Sequence, residues 1–181
     1  MLDRWSEYFF MIGSSAAALI GLMFVVATLT AGRDRGELER GKKLYTTPIV
    51  WHLGAVLVLS GLVLAPSATN KVLGIGALVI AVAGATYSGR IAVGILHAKL
   101  ATGFTRYDAI WYGIAPAFAY FLIGISGAGL LAGAHFAPSA TAAGSMSLLL
   151  VSIHNEWDLV TFLAPTAPSS TQVANDKDPG A

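Results

Sequence analysis

The stretch SIHNEWDLVTF, residues 152–162, places His154, Asn155, Glu156 and Asp158 almost side by side. These groups bind protons, cations or metal ions: an imidazole that titrates near neutral pH, two carboxylates and an amide. On a helix His154 and Asp158, four residues apart, share a face, whereas Glu156 points about 200° round from His154. The surrounding segment is otherwise apolar from Ala142 to Ala164. That is long enough to cross a bilayer, which takes about 20 helical residues, and an ionisable side chain inside such a segment is a functional candidate by default.

The elements that must carry these residues are legible in the composition. Of 181 residues 55% are hydrophobic and 12% charged, with a mean hydropathy of +0.68; soluble domains carry about 25% charged residues. The apolar residues fall in long blocks, and five blocks reach spanning length: 8–30, 46–66, 72–97, 108–133 and 142–164. The expected fold is therefore all-α, a polytopic membrane bundle of five transmembrane helices. Strands of a membrane barrel would alternate in short segments instead. The first block follows Asp3, Arg4 and Glu7 rather than a basic head, so it reads as a retained span and not a signal peptide. There is no cysteine, which excludes disulfides, thiol catalysis and Cys-based metal sites. Net charge is +1 with no basic patch interleaved with aromatics, so nucleic acid is not an expected partner.

Charge gives a direction. The loop 31–45 holds Arg33, Arg35, Arg40, Lys42 and Lys43, and the connection after the third block adds Lys99 and Arg106. The opposite side has only Arg4 and Lys71. By the positive-inside rule the N-terminus is outside and the C-terminus cytoplasmic. Loop 31–45 becomes a basic cytoplasmic loop. The tail 165–181, rich in Pro, Ser, Thr and Ala, becomes a disordered cytoplasmic tail. The plasma membrane, and the bacterial inner membrane before an organelle, is the expected location. Trp5, Tyr8, Tyr45, Trp51, Tyr107 and Trp111 suit interfacial anchoring.

With a direction set, depth follows from about 1.5 Å per residue. Glu156 and His52 each fall about 21 Å from the outer boundary and His154 about 18 Å; Tyr87 falls at about 22 Å and Arg90 at about 27 Å. Independent segments thus supply one polar layer in the inner half: His52, Arg90, His154, Asn155, Glu156 and Asp158, the set in which an ion or proton site is expected. Arg90 is expected either to pair with Glu156 or Asp158 or to snorkel to the inner surface. A fifth span that ended before Glu156 would instead leave the acids among the headgroups.

Small residues at four-residue spacing mark expected helix contacts: Gly13, Ala17 and Gly21; Ala77, Ala81, Ala85 and Gly89; Gly129 and Gly133. Pro116, inside the fourth span, removes a backbone donor and displaces the carbonyl of Tyr112, which predicts a bend there, a hinge if it moves.

Three functions are compatible with this layout. The first is an accessory, assembly or regulatory subunit whose polar layer fixes helix packing. The alternative is a small oligomeric channel or transporter moving a proton or cation through Glu156 and Asp158. Behind both stands a metalloenzyme or haem protein using His52, His154 and Asp158. However, HEXXH and any other metal or haem motif are absent, so neither a metal nor a cofactor is expected. The expected partners are the lipid bilayer and either further copies of the chain or a larger membrane complex.

Overall fold

The computed structural model describes residues 5–29, 47–66, 68–98 and 106–163. Arg4, loop 31–45, Lys99, the side chain of Arg106 and the tail 165–181, which carry the orientation argument, lie outside the described residues. Within them the chain is helical with no strand: α1 (Ser6–Leu29), α2 (Thr47–Leu64), α3 (Asn70–Ala98), α4 and α5 (Ala137–Leu163). The fourth helix runs on through three parts, Arg106–Ala109, a π-helical turn Ile110–Ile114, and Ala115–Leu131.

Among the described residues four helices are long and apolar enough to cross a membrane: Ser6–Thr28, Thr47–Leu64, Asn70–His97 and Tyr107–Leu131. The fifth is long enough but falls short in apolarity, because Ser145, Ser152 and the 154–158 run lower its average. The expected fifth span is thus a helix. Its start, at Ala137 rather than Ala142, is set by a tight turn.

That turn has a simple cause. Gly133 has φ +70°, the left-handed conformation in which a Cβ is strained. Around it Ala134 N–H bonds to Gly129 O (2.8 Å) and Gly133 N–H to Leu130 O (3.3 Å), the paired bonds of a Schellman cap. Gly133, expected in a packing row, is therefore a helix stop, with no neighbouring atom where its Cβ would be. Gly129 lies against Phe136 and Ala137 and lets α5 turn back closely.

The tightest helix pair is α3 with α4, antiparallel. Gly74 faces Gly127, each too close to the other's carbonyl to admit a side chain. Further along, Gly84 receives the ring of Tyr120, and Gly113 lies on the backbone of Ala92. Close backbone approach of this kind drives helix association where lipid offers no hydrophobic gain. In the row on α3 Ala77 and Ala81 are buried, Ala85 is half-buried, and Gly89 has open space beside it. On α1, Gly13 meets Ser60 of α2, but Ala17 and Gly21 point outward. The inward row is Ile12, Ala16, Ile20 and Met23, because a 3.6-residue turn carries the contact to the neighbouring positions. The end of the bundle at the α4–α5 turn is fastened by Tyr8, whose hydroxyl donates to Ala142 O (3.0 Å), and by Ser126 and Thr141, which bond to each other and to Ala137 O.

Candidate functional site

Pro116 organises the end of the bundle where α4 begins and α5 finishes. A helix places each carbonyl opposite the N–H four residues on. Here the N–H of Ala115 bonds instead to Ile110 O, five residues back, which widens the turn ahead of the proline ring. The carbonyl of Trp111 thereby loses its ordinary partner, and the next amide along, at residue 116, has no hydrogen. Asn155 of α5 fills the gap: its Nδ2 donates to Trp111 O (3.3 Å), and the side chain is fully buried. At Pro116, where a bend is expected, the helix carries a π turn whose orphaned carbonyl is capped from another helix.

The neighbours of Asn155 engage the same turn. His154 lies flat on Trp111, ring centroids 3.9 Å apart and planes inclined by 31°. Its Nε2 is 3.2 Å from the Tyr107 hydroxyl and 3.6 Å from Asp158 Oδ2. The Tyr112 hydroxyl donates to that same oxygen (3.2 Å). An imidazole, a carboxylate and two phenols therefore form one connected group between α4 and α5. It can hold or pass a proton, and it locks the two helices in register.

His52 belongs to a second group. Its Nδ1 is 2.9 Å from the Tyr120 hydroxyl, and its ring is edge-on to Tyr87, which in turn leans on Trp51. His52 and Tyr120 are both fully buried and bridge α2 and α4 through the bundle centre. His52 Nε2 and Asn155 Oδ1 have no hydrogen-bond partner among the described residues. Each is a buried polar atom whose remaining capacity water or a ligand could meet.

The six expected residues are thus not gathered into one site. His154, Asn155 and Asp158 converge on the π turn, and His52 is held by Tyr120. Glu156 is 8% exposed and has no hydrogen bond or ion pair among the described residues. Arg90 is exposed, and among the described residues no ion pair joins it to Glu156 or Asp158. Nor do any three His, Asp or Glu side chains there stand close enough together to hold a metal ion. Sequence reasoning missed Tyr120, the partner of His52. Its one signal was a phenol in the middle of an apolar span, and nothing in the spacing ties residue 120 to residue 52. It also missed the Ser126–Thr141 pair, two small hydroxyls that look unremarkable in helices.

Compared with protein families, with characterised proteins and with solved structures, the chain has no match.

Proposed function

We propose that this is an integral membrane protein in which all five helices cross the bilayer, with the N-terminus outside and the C-terminus cytoplasmic. The membrane assigned to it is the plasma membrane, as a bacterial inner membrane. Crossing by α5 is supported by the way its residues face. The polar side chains Thr141, Ser145, Ser152, Asn155 and Glu156 are buried, while Leu150, Ile153, Trp157 and Val160 are exposed. Its low average apolarity is concentrated on the side turned away from lipid, the pattern required of a span that carries polar groups inside a bundle.

The role we assign is that of an accessory subunit, assembling with or regulating other membrane proteins, in which the polar layer fixes helix register. The observation that carries it is the engagement of α5 with the π turn: Asn155, His154 and Asp158 all bond to Trp111, Tyr107 or Tyr112. Groups occupied in holding two helices are not arrayed around a pore. One observation favours the second reading, a proton or cation carrier: Glu156 is buried with no partner among the described residues, and a lone charge at the bilayer centre costs about 2.5–3.5 kcal/mol.

Glu156→Gln separates the two. In the accessory reading this variant keeps its stability and native mass, since Glu156 holds no partner among the described residues, whereas Asp158→Ala, which removes the acceptor of the Tyr112 hydroxyl, lowers the unfolding temperature, and none of the proteins moves protons or cations across liposomes. If Glu156→Gln is as stable as the wild type or more so, and the wild type carries a flux that Glu156→Gln lacks, the accessory role is wrong and transport takes its place.

A further inference from the structure

Hydroxyl groups divide by where they lie in the bundle. At the exposed surface they bond to their own helices: Ser15 to Met11 O (2.9 Å), Thr28 to Phe24 O (2.8 Å), Thr86 to Val82 O (2.7 Å), Ser147 to Ala143 O (2.8 Å) and Thr161 to Trp157 O (3.0 Å). Four serines of the interior do not. The Oγ atoms of Ser60, Ser88, Ser145 and Ser152 are buried with no hydrogen-bond partner among the described residues, and so are His52 Nε2 and Asn155 Oδ1. A buried polar atom left dry costs about 1–3 kcal/mol, so partners are missing where they are needed most.

Four of these atoms belong to one level of the bundle. α2 packs on α3 and α5, and so does α4, so the four helices enclose a centre, which the His52–Tyr120 bond crosses. On α3, Gly84 takes the Tyr120 ring and Ala92 lies on Gly113, which sets Ser88, midway between them, opposite residues 116–117 of α4. On α5, Thr141 bonds to Ser126 and Asn155 to Trp111 O, which sets Ser152 opposite residues 114–115. Helical tyrosines lean back toward the N-terminus, so the Tyr120 hydroxyl and the His52 ring on it lie about one turn back along α4. That level is Pro116, where α4 is widened by the π turn and one N–H is missing. Proline breaks in membrane helices are re-satisfied by neighbouring side chains and ordered water. Ser60, which meets Gly13, and Ser145, about two turns before Ser152, stand apart from this layer.

We infer that the bundle centre beside Pro116 is a binding site for ordered water, held by Ser88 Oγ, Ser152 Oγ, His52 Nε2 and Asn155 Oδ1. The chemistry of the set selects the ligand. Hydroxyls donate and accept, an amide oxygen only accepts, and Nε2 does one or the other according to the tautomer; water serves all of them. None of the four is a carboxylate, so nothing in the set calls for a cation. A buried water makes about three hydrogen bonds, so four atoms spread over three helices suit a small cluster. The inference rests on how the helices pack and on neither of the two functional roles above, so the Glu156→Gln experiment leaves it untouched.

X-ray radiolysis of the full chain in detergent tests the site, because it turns bound water into hydroxyl radicals that oxidise the side chains beside it. Oxidation of His52 and Tyr120 is read by mass spectrometry against Phe9, equally buried but among apolar residues. Each rate is normalised to the same residue in a proteolytic digest. In the wild type His52 and Tyr120 should be oxidised several-fold faster than Phe9. Ser88→Ala and Ser152→Ala should each slow that oxidation and lower the unfolding midpoint, whereas Ser60→Ala, about two turns from His52, should leave the oxidation unchanged. Oxidation no faster than that of Phe9 means a dry centre and overturns the site. Ser88→Ala and Ser152→Ala would then be more stable than the wild type, since each removes an unsatisfied buried hydroxyl. Fast oxidation that both variants leave unchanged overturns the assignment to these serines. The wild-type rates decide between a wet and a dry centre even where a variant fails to fold.

Discussion

At the scale of single residues, Asn155 and Pro116 are coupled through a backbone carbonyl that neither of them owns. The proline removes the N–H that would satisfy Trp111 O, and the asparagine supplies another from α5. Replacing Asn155 with Leu should leave that buried acceptor empty, at a cost of about 1–3 kcal/mol, read as a lower unfolding midpoint in detergent. Asn155→Asp should behave similarly, because an ionised carboxylate cannot donate. The specific expectation is non-additivity. In a Pro116→Ala background the helix regains an N–H at residue 116, so Asn155→Leu should cost measurably less than in the wild type, with a coupling of about 0.5–3 kcal/mol in the double-mutant cycle. Additive effects would mean that Asn155 acts by packing alone. His52 and Tyr120 form the comparable pair at the bundle centre, but there Nε2 of His52 has no partner among the described residues.

At the scale of elements, glycine decides where helices stop and how closely they meet. Gly133→Ala puts a Cβ on a φ of +70° and should destabilise by about 1 kcal/mol, while leaving the mass of the purified particle unchanged. Gly84→Leu drives a side chain into the Tyr120 ring, so it should cost at least as much as the 1–3 kcal/mol of an overpacked core and also disturb the His52–Tyr120 bond. Thermal melts of the two variants, with near-ultraviolet dichroism for the tyrosine environment, check the order. The helices themselves were readable, since long apolar blocks admit little else, and so was the disturbance of regular α-helix hydrogen bonding next to Pro116. The facing of each small residue was not. A row at four-residue spacing drifts round a 3.6-residue helix, so Gly13 packs while Gly21 faces outward, and Gly133 lies just past the end its row assumed. Likewise a shared depth placed His52 with His154, but depth says nothing of azimuth, and the two rings belong to different groups.

At the scale of the whole molecule, the open question is whether α5 crosses, and the absence of cysteine makes it directly measurable. Single cysteines can be introduced without first removing any. His135→Cys lies in the exposed turn between α4 and α5; Gly36→Cys lies in the basic segment, and Ser170→Cys in the tail. If the polar side of α5 is turned into the bundle and its apolar side into lipid, the helix ends on the opposite face from its start. A membrane-impermeant maleimide applied to intact cells should then label His135→Cys alone, and all three after permeabilisation. Labelling of His135→Cys and Ser170→Cys from one side would place α5 along the interface, where Glu156 would meet water and its burial would no longer bear on transport. Labelling of Gly36→Cys from outside would reverse the direction drawn from the basic residues, and with it the depth order assigned to His52, His154 and Glu156.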